Sequence, residues 1–119
     1  MERSECIFCR IADQDVPTPL VYQDDEIVAF RDLHPQAPVH LLIIPRKHIA
    51  SLAELTPDDV ALLGRMNWVA KQLAEEAGIA ESGYRLICNC RADSGQEVPH
   101  LHFHLLGGRF LGPLLAASK

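Results

Sequence analysis

Three histidines alternate with apolar residues in His100-Leu101-His102-Phe103-His104-Leu105-Leu106. Successive side chains of a β-strand point to opposite faces. On a strand His100, His102 and His104 therefore share one face, and Leu101, Phe103 and Leu105 the other. The apolar face is fit for a core, which leaves the histidine face to line a cleft. At a rise of about 3.3 Å per residue, neighbouring imidazoles start about 6.6 Å apart, a span that suits a phosphate or a metal ion. Displacing a poor leaving group from phosphorus needs a nucleophile, a partner for the charged oxygens and a proton for the departing atom. Imidazole serves in all three roles near neutral pH. His102, flanked on both sides, holds the best-supported position for the nucleophile. His40 opens an apolar run and is placed either to face the same pocket or to sit at a strand edge on the surface.

A second group of candidate ligands begins with Cys6-Ile7-Phe8-Cys9. A C-x₂-C pair has zinc-binding spacing but needs two more ligands. His48 and His100 are the candidates, and the alternative is a pair of reduced thiols at a helix start. Cys88 and Cys90 sit two apart on an expected strand and are read as small buried side chains.

Stepping outward, the elements that must position these groups are legible in outline. Ile7 to Asp13 reads as a short helix with Ile7, Phe8 and Ile11 on one side, ended by Pro17 and Pro19. Leu20 to Gln23 and Ile27 to Phe30 form a hairpin about Asp24-Asp25. Asp32 to Pro38, with two prolines, is irregular. His40 to Ile44 is a nearly continuous apolar strand, which points to a central place in a sheet. Thr56 is an N-cap, Pro57 suits the first turn, and Asp58 and Asp59 complement the positive helix end. Leu62, Met66, Val69, Leu73 and Ala77 then follow at helical spacing, and Gly78 provides a left-handed stop. Val60, Leu63, Trp68 and Ala70 widen that stripe. Tyr84 to Cys90 is a strand, Arg91 to Pro99 a loop, and the histidine strand ends at Gly107-Gly108. Hairpin links without a βαβ repeat predict an α+β domain, with an antiparallel sheet of about five strands, one long helix and one short helix.

A chain of 119 residues suits a single domain over 1–119. The net charge of −5 and the absence of a Lys/Arg block argue against a nucleic-acid groove. No apolar run of signal-peptide type and no span of about 20 apolar residues occurs. No membrane partner is therefore expected, and a cytoplasmic location is. In a reducing compartment the four cysteines are thiols or metal ligands. Walker-type and Rossmann glycine motifs are absent.

The histidine run resembles the signature of the histidine-triad (HIT) family, His-Φ-His-Φ-His-Φ-Φ with Φ apolar. The similarity extends to Phe30-Arg31-Asp32-Leu33, Pro35-Gln36-Ala37-Pro38, His40 to Pro45, Asn89, Gly95-Gln96 and Leu106-Gly107-Gly108-Arg109, from about Cys6 to Pro113. It is strongest to the bacterial purine nucleoside phosphoramidase branch. The resemblance implies a HIT-like fold and a hydrolase that passes a purine nucleotidyl group (AMP or GMP) to His102 and then to water, with no catalytic cofactor. It implies catalytic roles for His104, His40 and His100, with His104 handling phosphate oxygens or the leaving-group proton. It further implies that Asp32, otherwise a turn or cap residue, takes the ribose hydroxyls. Phe30 and Leu33 would sandwich the base. Asn89, Gly95, Gln96, Glu97, His102 and His104 would complete the nucleotide site. Glu97 departs from the serine found in eukaryotic members, and a carboxylate beside phosphate is repulsive unless it turns away or meets the leaving amine. Some relatives hold structural zinc on a Cys₂His₂ set, here Cys6, Cys9, His48 and His100, in which case His100 is a ligand and not an acid. A homodimer is implied, with the tail Phe110 to Ala117 near the partner's site. The alternatives are a dinucleotide-polyphosphate hydrolase, a nucleotide-binding regulatory protein with weak catalysis, and a hydrolase holding a catalytic metal on the three histidines.

Overall fold

The computed structural model describes residues 2–116. The last residue of the expected tail, Ala117, and the two ends of the expected 1–119 domain lie outside them. The elements are α1 (Ile7–Ala12), β1 (Leu20–Gln23), β2 (Ile27–Arg31), β3 (Val39–Pro45), α2 (Val60–Glu76), β4 (Tyr84–Ile87) and β5 (Phe103–Gly107). The five strands make one sheet in the order β1-β2-β3-β5-β4, with antiparallel pairing throughout. This is the expected α+β architecture, a five-stranded antiparallel sheet with one long and one short helix.

β3 is central and buried on both faces, as its continuous apolar run required. Alternation along β2 and β3 separates two cores. Ile27, Ala29, Leu41 and Ile43 pack towards α2 with Leu62, Met66, Val69, Leu73 and Phe103. Val28, Phe30, Leu42 and Ile44 pack towards α1 with Phe8, Cys9 and Ile11. At about 25 cal/mol per Å² of apolar surface, such two-sided burial makes β3 the main anchor of the sheet. The start of α2 is fixed by a reciprocal cap. The Thr56 N–H donates to Asp59 Oδ2 at 2.9 Å, and Lys47 pairs with Asp59 Oδ1 at 2.7 Å.

Several details depart from the sequence expectation. Ile7 is 42% exposed, because on this short helix Phe8, Cys9, Ile11 and Ala12 take the inner side. Asp13 caps α1 and is not part of it. Ala77 is exposed and caps the long helix, while Ala70 and Ala74 complete its buried stripe. Val60 and Trp68 are exposed on its outer side. The strand expected over Tyr84–Cys90 stops at Ile87, where its ladder with β5 ends opposite His104. Cys88 and Cys90 are thus half-buried loop residues, not a buried pair on a strand.

The largest correction concerns the histidine run. Only Phe103–Gly107 is strand. Ahead of it the His100 N–H donates to the Val98 carbonyl at 2.8 Å, and the Leu101 N–H donates to the Ile49 carbonyl at 2.6 Å. Three histidines on one strand face is therefore not the arrangement found. At the other end Gly108 has φ +95°, and a Cβ there would meet the Pro38 ring at 2.8 Å. Glycine is required to close β5 against the proline loop that precedes β3.

Candidate active site

β3 and β5 bring the histidines together. His104 pairs with Leu42 across the ladder and His40 with Leu106, so His40 and His104 are diagonal neighbours on the α1 face. His40 Nδ1 accepts the Gln36 N–H at 3.1 Å. Its proton must then sit on Nε2, which faces His104 Nδ1 at 2.9 Å and Asp32 Oδ2 at 3.5 Å. His104 accepts at Nδ1, so its own proton sits on Nε2. His102 is fixed differently. Its Nδ1 lies 2.7 Å from the carbonyl oxygen of His100. A carbonyl only accepts, so Nδ1 carries the proton and Nε2 keeps a lone pair. The ring stands edge-to-face against Phe8 at 5.1 Å and lies 5.0 Å from His104.

His102 and His104 line a cleft of about 430 Å³ together with Phe8, Asp32, His34, Gln36, Leu42, Asn89, Gly95, Glu97 and Val98. A second recess of about 470 Å³ on the α2 side touches Asp32 and His40 from behind but lacks His102. The first cleft is the one that His102 and His104 share. Burial pushes His104 down to about 4, with His102 and His40 adding to the effect against the opposing pull of Asp32. Burial likewise lowers His40, again opposed by Asp32. Asp32 Oδ1 accepts the His34 N–H at 2.8 Å, as in a turn, and Asp32 is among the residues that line the cleft.

The other expected site residues divide. Asn89, Gly95 and Glu97 line the cleft. Gly95 does so at φ +83°. Gln96 does not line it. Its Oε1 accepts the Arg91 N–H, and its Nε2 donates to the carbonyls of Ala50 and Val98, which ties down the 91–99 loop. Phe30 is only 4% exposed and packs edge-to-face on Phe8 at 5.6 Å, whereas Leu33 is 90% exposed. Neither is among the residues that line the histidine cleft. Phe8, His34, Gln36, Leu42 and Val98 also line the cleft, beyond the expected site residues. Phe8 and Leu42 carry the signal of ordinary core, and only the fold shows that this core ends at the cleft.

His100 turns away from the cleft and is fully buried. Its Nε2–H donates to the Pro45 carbonyl at 2.8 Å, which leaves the Nδ1 lone pair 3.3 Å from Cys6 Sγ and 3.5 Å from Cys9 Sγ. His48 Nδ1 is 3.3 Å from Cys9 Sγ. The four ligand atoms all lie within 4.8 Å of one another. Two sulfurs and two imidazoles, with the ring of His100 oriented by a backbone carbonyl, fit a tetrahedral divalent cation of the zinc type. Burial and the neighbouring Cys6 push the Cys9 thiol up to about 11, so a cation there would displace a proton. His100, His102 and His104 do not converge on one point. The other group of clustered ligand atoms among the described residues is Asp32, His40 and His104.

Residues 5–118 match the family model described as scavenger mRNA decapping enzyme C-term binding. The chain is 53% identical over 112 residues to the purine nucleoside phosphoramidase of Escherichia coli (strain K12), covering 94% of each. It superposes on a HIT family hydrolase from Legionella pneumophila Philadelphia 1 with TM-score 0.88 and 50% identity, covering 90% of this chain and 96% of that one. A zinc-bound histidine triad family protein from Mycobacterium smegmatis gives TM-score 0.78 at 26% identity, covering 97% and 82%. This chain belongs to the histidine-triad family. No helix among the described residues is long and apolar enough to cross a membrane.

The buried neutral state of His104 has a consequence for stability. Its folded value lies below its unfolded one, so between about 6.5 and about 4 the unfolded chain takes up a proton that the native protein refuses. That contribution to stability is present above pH about 6.5 and is lost as the pH falls towards 4. Calorimetric unfolding near pH 5 should show about one proton fewer taken up by His104→Asn than by wild type. Equal uptake would contradict the assignment.

Proposed function

We propose that this chain hydrolyses the P–N bond of purine nucleoside 5′-phosphoramidates. The observation that carries the reading is the hydrogen bond from His102 Nδ1 to the His100 carbonyl, which commits Nδ1 as donor and places the lone pair of the neutral ring, the nucleophile, at Nε2 in a walled cleft. Nε2 attacks the α-phosphorus, a bond from Nε2 to phosphorus forms, and the P–N bond breaks. The amine departs with a proton. Water then attacks the same phosphorus, the bond to Nε2 breaks, and nucleoside monophosphate is released. His104, donating from Nε2, binds the phosphoryl oxygens or supplies the departing proton. His40 fixes the tautomer of His104. Asp32 receives the ribose hydroxyls, with Asn89 and the Gly95 backbone on the phosphate side. The branch assignment rests on the high identity to the E. coli phosphoramidase across nearly the whole of both chains. His102→Ala should lower kcat/KM for adenosine phosphoramidate about a thousandfold or more, yet bind AMP by calorimetry and melt cooperatively. Substantial turnover, or an acid-labile nucleotidyl adduct that survives the substitution, would refute the nucleophile.

Zinc on Cys6, Cys9, His48 and His100 is proposed as structural. It would join α1 to the segment entering β5 and supply no step of the chemistry. Elemental analysis should give about one zinc per chain, and Cys9→Ser should lower the melting temperature far more than kcat. A loss of kcat at unchanged melting temperature would instead place the metal in the mechanism.

Residues 1–119 are proposed to act as one cytoplasmic domain that pairs into a homodimer. Support comes from β4 at the sheet edge and from exposed Trp68, Phe110, Leu114 and Leu115. Arg85 of β4 holds the tail by donating to the carbonyls of Gly112 and Pro113. An edge strand beside exposed apolar surface is suited to a two-fold interface. Light scattering should give twice the chain mass at micromolar concentration, and a monomer would reject the pairing.

A further inference from the structure

No lysine or arginine lines the 430 Å³ cleft among the described residues, whereas two carboxylates do, Asp32 and Glu97. That is an unusual lining for a pocket meant for phosphate. Anion sites ordinarily supply fixed positive charge or a row of backbone donors. Asp32 is already committed, to the His34 N–H and to His40. Glu97 is exposed and makes no ion pair or side-chain hydrogen bond among the described residues.

Glu97 also stands at a junction. It lines a neighbouring basin of about 410 Å³ that continues over Ser51, Glu54, Arg91 and Pro99. The one cation lining that basin among the described residues is neutralised, because Arg91 pairs with Glu54 at 2.6 Å. Glu97 is therefore the unbalanced charge where the two hollows meet. Asp32 lies on the β2–β3 loop and Glu97 on the β4–β5 loop. With the nucleoside on the Asp32 side, as the proposed function has it, the leaving group departs past Glu97.

We infer that Glu97 selects the leaving group by charge, so that the preferred substrates are phosphoramidates of amines bearing a second, cationic group. A pendant ammonium offsets the repulsion between the carboxylate and the phosphoryl oxygens. A neutral amine leaves that repulsion standing. A carboxylate or polyphosphate leaving group adds to it, and Arg91, the cation lining the basin, is already paired with Glu54. This inference rests on the phosphoramidase reading and narrows it to a substrate class.

The test uses adenosine 5′-phosphoramidates of ethylenediamine, propylamine and β-alanine, leaving groups of similar length that differ in terminal charge. Wild type should show kcat/KM falling in that order, by about three- to tenfold per step, as expected for one charge pair in a wet site. Glu97→Gln should flatten the ranking and Glu97→Lys should invert it. A loop held in place by Glu97 for structural reasons alone would alter all three rates together. The wild-type ranking should also shrink in about 1 M salt, where the screening length is about 3 Å. Equal rates for the three in wild type, or an unchanged ranking in Glu97→Gln, would overturn the inference and leave the phosphoramidase reading intact. Failure of wild type to cleave any of the three would overturn both.

Discussion

The hydrogen bond between the His102 ring and the backbone of His100 requires the chain to leave the sheet just before β5. A strand residue presents its carbonyl to a neighbouring strand. Here the His100 carbonyl is turned to the side chain two residues on, while the amides of His100 and Leu101 find Val98 and Ile49. The break sorts the three histidines. His100 goes inward to the sulfurs, His102 is fixed with one nitrogen free, and His104 stays in register on β5. Three residues thus connect a metal-type cluster to the proposed nucleophile. Phe8, from the same helix as Cys9, packs its ring against both imidazoles.

The remaining order of the site comes from burial. Both ring nitrogens of His40 have partners, and its tautomer passes to His104 through a 2.9 Å contact. In water such imidazoles would exchange protons freely near neutral pH. Here the low dielectric on the α1 face holds them neutral. The cleft therefore offers directed donors and a lone pair in place of fixed positive charge. The proposed phosphate recognition therefore depends on geometry, and the inferred charge selectivity on the ionised groups of the rim.

Core and site are also less separate than the sequence suggests. Phe30 continues the α1-side core and supports Phe8, and Phe8 supports His102. Gln96 builds the cleft without lining it, spending its amide on three backbone groups of the 91–99 loop. A substitution at either position would act on the chemistry through the placement of a neighbour.

Apolar periodicity and capping chemistry, both short-range, were enough for the α+β class, the central place of β3 and the cap at Thr56. Spacing and the histidine alternation went only as far as candidates: Cys6 and Cys9 with His48 and His100 as a possible ligand set, and His102 and His104 as site residues. The alternation that exposed the histidine run also misdirected it, because side-chain parity holds only while the backbone remains a strand. Where the ladder stops is decided by partners far along the chain, Ile49 for Leu101 and β5 for Tyr84–Ile87. Only the tertiary structure could therefore send His100 to the thiols, bury Phe30 and expose Leu33. Only it could set Glu97, unpaired among the described residues, between the histidine cleft and the basin of Glu54 and Arg91, since that placement is fixed by how two distant loops meet.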